Sequence, residues 1–301
     1  MNYQKINGVE FFKKISNEKQ ARQWAWTTRF GKKGFQCSHC THLEYYSHQS
    51  RPEIRTCKKC LRQTRLRAGT IFQSSKLPLL VWFRAIHLVM QGKRGISALE
   101  LKRLLKIRSY QTAWMMLHKI RTALENREKQ YKLKGVIEFD GTYFGQRKFH
   151  NQQPVLLAVE SRDWIDERSR PRSRAGFAKV LAASESRQNT QSFVNQVVER
   201  NSRLHTDGRN IYPFLENVEV QAKKQTVPGN ENWLPWVHKF ISNSKAWIRG
   251  THHGVRAKYL NRYLAEYTYR FNRRHDPDSL FHRTLKACVS AKPAPAYALC
   301  R

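Results

Sequence analysis

Apolar residues follow a helical period in the first part of the chain, where they recur three and four positions apart. This pattern predicts four helices, which begin near Asn17, Pro78, Ser97 and Ser109. Glu100 follows Ser97 by three positions, an arrangement typical of a capped helix N-terminus. We therefore expect the first part of the chain, apart from residues 29–77, to be mainly helical.

The period changes to alternation after about residue 134, which predicts strands. In chain order we expect three strands, a helix that Asn189 caps, a fourth strand and a last helix: 135–145, 153–162, 176–184, 189–200, 203–208 and 233–250. A polar segment, 162–174, separates the second and third strands. This order is typical of an α/β domain with a mixed sheet.

Positive charge dominates the composition. The 301 residues include 56 Lys and Arg against 22 Asp and Glu, a net charge of +34. Residues 1–134 hold 29 of the basic residues and seven Glu but no Asp, so that Asp140 is the first aspartate of the chain. Such an excess opposes folding by self-repulsion unless a polyanion neutralises it. We expect the partner to be a nucleic acid, bound mainly by the first half of the chain.

The N-terminal sequence lacks the apolar core of an export signal, and no apolar run approaches the ~20 residues of a membrane span. We therefore expect no membrane partner and a cytoplasmic, nucleoid-associated location.

Four cysteines form two C-x2-C pairs, Cys37 with Cys40 and Cys57 with Cys60, separated by sixteen residues. Two such pairs place four thiolates at the corners of a tetrahedron, the geometry of a zinc ribbon. Because all four ligands are protein groups, we expect the Zn2+ to be structural.

Residues 96–121 combine a capped helix, a short polar turn and a second helix, which predicts a helix-turn-helix motif. The second helix of such a motif presents its N-terminal residues to the major groove. The candidate DNA-binding residues are therefore Arg108, Ser109, Tyr110, Gln111 and Thr112.

Two aspartates, Asp140 and Asp207, each come at the end of a run of strand-like residues and directly precede a glycine, where we expect a turn. Carboxylates at the ends of neighbouring strands can share divalent cations, which prefer oxygen ligands. A pair of metals held in this way stabilises the attacking and leaving oxygens of a phosphodiester. We therefore predict that Asp140 and Asp207 bind Mg2+ or Mn2+ and are catalytic. Glu138 lies on the same strand face as Asp140 and ranks below both aspartates.

The chain resembles zinc-ribbon insertion-sequence transposases, which are related to the Merlin group of DDE transposases. The resemblance extends from about Asn17 to about Leu285. The segments that carry it, besides the cysteine pairs, are AGTIFQSSKLPLLVWF, SYQTAWMMLHKIR, EFDGTYFG, HTDG and GTHHGVRAKYLNRYLAEYTYRFNRR. It implies a ribonuclease H-like catalytic domain with a D-D-E or D-D-N triad, in which Asp140 and Asp207 are the first two members. It also implies Mg2+ as cofactor and double-stranded DNA, the transposon ends and the target, as substrate.

The third member of the triad stays open, because the last predicted helix contains no carboxylate. His238 precedes Lys245 by seven residues, so that both lie on one helix face, from which Lys245 would contact DNA phosphate. Asn243 follows Asp207 after thirty-five intervening residues, a spacing typical of the family. Glu266 is the nearby acid downstream, and we expect it to form a helical ion pair with Arg262 or Arg270.

These patterns together predict a multidomain protein. We expect an N-terminal helical segment, a zinc ribbon, a helix-turn-helix domain, an α/β ribonuclease H-like domain with a mixed sheet, and a tail: 1–30, 31–66, 67–133, 134–285 and 286–301. The predicted reaction is metal-dependent cleavage at terminal inverted repeats followed by strand transfer to target DNA, by a homodimer or higher oligomer. The alternatives are a non-catalytic DNA-binding regulator or decayed transposase, and an RNA-binding protein or nuclease.

Overall fold

The computed structural model describes residues 4–5, 7–31, 34–146, 150–165, 168–223, 233–295 and 299. The chain divides into two units, Met1–Asn126 with Arg273–Arg301, and Arg127–Asn272. Among the helices in these described ranges, none is long and apolar enough to cross a membrane.

The first unit contains helices and a small sheet. Its helices are α1 (Gly8–Lys14), α2 (Glu18–Phe30), α3 (Leu79–Gln91), α4 (Ala98–Leu104), most of α5 (Tyr110–Glu128) and α9 (Leu280–Ser290). Asn7, Asn17 and Ser97 each accept a backbone N–H at the start of α1, α2 and α4, respectively. All four helices predicted in this part of the chain are therefore confirmed, and α1 and α9 are additional.

Helix α9 packs with α2 and α3, although it begins about 250 residues after the end of α2 and about 190 after the end of α3. Phe281 of α9 lies with Phe11 and Phe83 in an aromatic core, at ring distances of 4.8 and 5.8 Å. The Glu18 carboxylate accepts the N–H groups of Leu79 and Leu80 at 2.8 Å each, and so caps α3. The C-terminal helix is thus part of the core of the first unit.

The cysteine pairs flank a three-stranded antiparallel sheet, β1 (Tyr45–Ser47), β2 (Ile54–Cys57) and β3 (Gln63–Arg65). Phe35, Cys37 and Cys57 form its buried core. Such a short sheet buries little apolar area, so additional cross-linking is needed for stability.

The described part of the second unit is built on a five-stranded mixed sheet. The strands are β4 (Val136–Phe144), β5 (Gln153–Ile165), β6 (Pro171–Leu181), β7 (Ser202–Thr206) and β8 (Val218–Ala222), in the order β6-β5-β4-β7-β8. β5 is antiparallel to β4 and β6, whereas β4, β7 and β8 are parallel. The predicted α/β organisation with a mixed sheet is confirmed.

Helices cover both faces of this sheet. Apolar residues of α6 (Arg187–Val197) pack with Ile137 and Phe139 of β4 on one face. Residues of α7 (Pro235–Trp247) and α8 (Leu260–Phe271) pack with Leu157 and Val159 of β5 on the other. Because side chains alternate along β4, Glu138, Asp140 and Thr142 face α7.

Three details of the second unit differ from the sequence expectation. The polar segment 162–174 belongs largely to β5 and β6, because backbone pairing continues as far as Ile165 with Pro171. β8 was not predicted. The cap of α6 is Ser186, whose hydroxyl accepts the N–H of Asn189 at 3.2 Å, and the prediction of Asn189 as the cap is wrong.

Candidate functional site

Asp207 lies directly after β7, and Asp140 lies within the adjacent parallel strand β4, just beyond the point where the β4–β7 pairing ends, which we call the strand end. The turn expected directly after Asp140 is wrong, because β4 continues through Gly141 to Phe144, held by its pairing with β5. The last paired residues of β4 and β7 are Glu138 and His205, and each aspartate lies two positions further on. The side chains are partly buried, with exposed fractions of 13% for Asp140 and 23% for Asp207. The strand geometry therefore brings together the two carboxylates that the sequence singles out.

Glu138 fixes the helix that faces this strand end. Its buried carboxylate accepts the N–H groups of Trp236 and Val237, at 2.7 and 2.9 Å, in the first turn of α7. Pro235 precedes them at a position where a missing N–H costs nothing. Burial raises the pKa of Glu138, and the two backbone N–H groups oppose that shift by stabilising the anion. Glu138, which belongs to β4, thus caps the N-terminus of α7.

Two further side chains of α7 contact β4. The His238 Nε2 atom is 3.3 Å from an Asp140 oxygen, and this hydrogen bond raises the pKa of His238. Lys245 donates a hydrogen bond from Nζ to the Thr142 hydroxyl at 2.8 Å, and burial lowers its pKa. His238 and Lys245 therefore share a helix face that is directed toward alternate residues of β4.

The other two candidates for the third position lie elsewhere. Asn243 is exposed on α7, and its side chain has no hydrogen-bond partner among the described residues. Glu266 is fully buried in α8 and forms an ion pair with Arg270 at 3.8 Å, as expected.

The structure adds Glu185, Arg209 and Tyr212 to this strand end. The Glu185 carboxylate accepts a hydrogen bond from the Tyr212 hydroxyl and forms an ion pair with Arg209. Arg209 also contacts Asp207, with Nε 3.1 Å from a carboxylate oxygen. A Cβ atom on Gly141 would overlap the Glu185 carboxylate, so the glycine after Asp140 makes room for this carboxylate. Burial raises the pKa of both Glu185 and Tyr212.

A signal for Glu185 was present in the sequence, because this acid directly follows the predicted strand 176–184. β6 and β4 are both antiparallel to β5, so both strands run in the same direction and their C-terminal ends lie on the same side of the sheet. Strand direction, which the sequence alone does not fix, was the missing information.

This donor set suits a hard divalent cation, because its anionic ligands are carboxylate oxygens. Asp140 and Asp207 are each engaged by a cationic or protonatable group, His238 and Arg209 respectively. Cationic or protonatable side chains of the protein itself therefore already interact with the negative charge at the strand end.

The four cysteines form a second centre, in the first unit. Their sulfur atoms all lie within 4.8 Å of one another. Among the described residues, this is the one group of three or more His, Cys, Asp or Glu side chains whose ligand atoms lie that close together. The two C-x2-C turns have the same hydrogen bonds. In each, the N–H four residues after the first cysteine donates to the carbonyl of that cysteine, from Thr41 to Cys37 and from Leu61 to Cys57. Thr41 and Leu61 also share a left-handed φ of 59°. This arrangement is compatible with zinc.

The thiols hold their protons unequally. Backbone N–H groups of Cys40 and His39 lower the pKa of Cys37 to about 6. The Arg62 N–H lowers the pKa of Cys60, but burial and the three neighbouring sulfurs outweigh it and raise the value to about 12. Four thiolates at neutral pH therefore require a cation among them.

The five DNA-binding residues predicted in the helix-turn-helix motif are all exposed at the start of α5 or just before it: Arg108, Ser109, Tyr110, Gln111 and Thr112. The apolar face of α5 is buried, with Ala113, Met116 and Leu117 nearly inaccessible to solvent. The polar N-terminal end of the helix is thus available to a partner.

Residues 132–272 match the family model of the ISXO2-like transposase domain. This segment ends at Asn272, where the second unit also ends, and contains both aspartates and all of α7. The match confirms the resemblance to insertion-sequence transposases of the DDE class. No curated protein and no solved structure matches the chain significantly.

Proposed function

We propose that the chain, whose residues 132–272 match the ISXO2-like transposase domain, is an insertion-sequence transposase of the DDE class that cleaves and rejoins DNA at the site formed by Asp140 and Asp207. The observation that carries this proposal is the position of both carboxylates where the pairing of the adjacent parallel strands β4 and β7 ends, within the matched domain. The strand order and the helices on both faces support a ribonuclease H-like fold for this unit.

Within the proposed site, Asp140 and Asp207 hold divalent cations, Mg2+ or Mn2+. Bound there, such cations supply Lewis-acid stabilisation of the phosphodiester and of the attacking oxygen. Glu138 holds α7 in place, and His238 orients Asp140 through their contact at 3.3 Å. Lys245, held at Thr142, contributes a positive charge for the DNA backbone.

For the third position we propose His238, because of the two candidates on α7 it is the one whose side chain contacts an aspartate. Asn243 would need a rotation of the helix to reach Asp140, since five residues correspond to about 140° around the axis. Such a rotation would break the hydrogen bonds of Glu138 and Lys245.

The remaining assignments concern DNA recognition. We propose that α4 and α5 form a helix-turn-helix motif that binds terminal inverted repeats through residues 108–112, and that the four cysteines hold a structural Zn2+. Joining two transposon ends to target DNA requires both ends at once, so we propose a homodimer or higher oligomer.

The proposal is tested with a duplex that carries the terminal repeat of the element, incubated with Mg2+, with strand cleavage measured on a denaturing gel. Asp140→Asn and Asp207→Asn should abolish cleavage and retain end binding, because each removes one charge and little volume. Glu219→Gln, an exposed acid on β8 of the same sheet, is the matched control and should cleave normally. Full activity of Asp140→Asn would refute the proposed site.

The same assay compares His238→Ala with Asn243→Ala. We expect loss of cleavage in the first and near-normal cleavage in the second. The opposite result would assign the third position to Asn243. The alternative function, a DNA-binding protein without catalysis, is supported by the lack of a carboxylate on α7. It predicts tight end binding with no cleavage by the wild type at any Mg2+ or Mn2+ concentration.

A further inference from the structure

Arg209 binds two carboxylates at once, and one of them belongs to the proposed metal ligand Asp207. Its Nε atom lies 3.1 Å from one oxygen of Asp207, and its backbone N–H donates to the other at 3.3 Å. A terminal guanidinium nitrogen forms an ion pair with Glu185. Both oxygens of Asp207 are therefore engaged by the same residue.

Glu185 is held in place by contacts other than its ion pair with Arg209. Its second oxygen accepts a hydrogen bond from Tyr212, whose side chain is fully buried and packs edge-to-face on Phe139 at 5.5 Å. The absence of a side chain at Gly141 leaves space for its carboxylate above β4. Glu185 is thus a fixed anion, 12% exposed, whereas the guanidinium of Arg209 is half exposed and can move.

An arginine between two carboxylates can release one and remain paired with the other. A divalent cation that binds Asp207 competes with Arg209, because both positive charges are attracted to the same carboxylate and repel each other. The displaced guanidinium would then remain next to Glu185, close to the reacting DNA and positively charged.

We propose that Arg209 is an internal counter-ion that covers the Asp207 carboxylate until a divalent cation binds, and that Glu185 is the positioning residue that retains Arg209 once Asp207 is released. This inference rests on the proposed metal site. The affinity for the cation then depends on a competition within the protein. Arg209 weakens cation binding, and Glu185 reduces this effect by retaining Arg209.

The test is a titration of the full-length, zinc-loaded protein with Mn2+, in which the electron paramagnetic resonance signal reports free Mn2+. Arg209→Gln should tighten Mn2+ binding by about two- to fivefold, the amount by which a half-exposed ion pair shifts a binding constant. The matched control is Arg203→Gln, also in the β7 region, with a side chain 48% exposed and an ion pair to Glu219. Its charge lies about 13 Å along the strand from Asp207, beyond the screening length at 0.15 M salt, so binding should not change.

Glu185 is tested in two backgrounds. Glu185→Gln should weaken Mn2+ binding while Arg209 is present, because the guanidinium then has Asp207 as its remaining carboxylate partner in this cluster. In the Arg209→Gln background, the same substitution should have a clearly smaller effect. Equal weakening in both backgrounds would overturn the positioning role, since it would make Glu185 a direct ligand or a distant charge.

Asp140→Asn separates this inference from the proposed function. If the substitution leaves Mn2+ binding intact, the measured ions bind elsewhere and the proposed metal site fails, together with the inference. If binding is lost in Asp140→Asn but Arg209→Gln and Arg203→Gln behave alike, the metal site stands and the counter-ion is refuted.

Discussion

Replacing Glu138 by alanine should detach the first turn of α7 from the sheet. One oxygen of this buried carboxylate accepts two backbone N–H groups, those of Trp236 and Val237. Hydrogen bonds to a charged group contribute about 1.5–3 kcal/mol each, and the substitution leaves both donors without this acceptor. The raised pKa of Glu138 shows that burial of the charge offsets part of this gain. We therefore expect the free energy of local unfolding of α7 to fall by about 3–4 kcal/mol, in the lower part of the range for two such hydrogen bonds.

A loss of this size is a large fraction of the ~5–15 kcal/mol that stabilises a typical domain. Because the chain has two units, a single global unfolding curve is a poor measure of it. Amide hydrogen exchange of α7, read by mass spectrometry on peptides 235–247, reports the local free energy directly. Glu138→Gln keeps an acceptor oxygen and the shape of the side chain, and should lose only about 1–2 kcal/mol.

The matched control is Glu219→Ala, which removes an exposed acid whose ion pair with Arg203 spans 3.6 Å. Such surface pairs contribute at most about 1 kcal/mol, so α7 should exchange as in the wild type. The reasoning is wrong if Glu138→Ala accelerates exchange in α7 no more than Glu219→Ala does.

Three further predictions concern other parts of the molecule. Metal analysis should give about one zinc per chain, and Cys57→Ser combined with Cys60→Ser should remove it; an unchanged zinc content would exclude the cysteine site. Arg108→Ala should weaken binding to terminal-repeat DNA and lower the dependence of affinity on salt, measured by fluorescence anisotropy; an unchanged salt slope would place Arg108 away from phosphate. The pKa of His238 is raised in the folded protein, so its interaction with Asp140 stabilises the fold fully below the unfolded pKa of ~6.5. That contribution is lost as the pH rises through the folded value, and Asp140→Asn should lower the His238 pKa in an NMR titration; no change would contradict the contact.

Local patterns predict most of the elements, because amphipathic periods and caps depend on nearby residues. Asn17 and Ser97 cap α2 and α4 in the structure. The alternation around Asp140 and Asp207 predicts β4 and β7. β7 ends directly before Asp207, as expected, whereas β4 continues through Gly141 to Phe144. Neither period nor capping depends on the rest of the fold.

Long-range packing was not predictable in the same way. Helix α9 joins the core of α2 and α3 across more than 180 residues, and an amphipathic pattern does not specify its partner. For the same reason, a fragment that ends near residue 134 lacks Phe281, which packs on Phe11 and Phe83. DNA binding by the first unit is therefore better tested in the full chain.

The orientation of α7 about its own axis, which decides the side chains that it directs toward the site, is set by strand β4. Glu138, Asp140 and Thr142 are polar residues at alternate positions of β4, all on the face that packs against α7. Burying them is costly without partners, and α7 supplies one for each: two backbone N–H groups, His238 and Lys245. A shift of α7 by one residue would turn it by 100° and break the two side-chain contacts together. The choice between His238 and Asn243, which helical period and family spacing left open, is therefore coupled to three polar residues on the neighbouring strand.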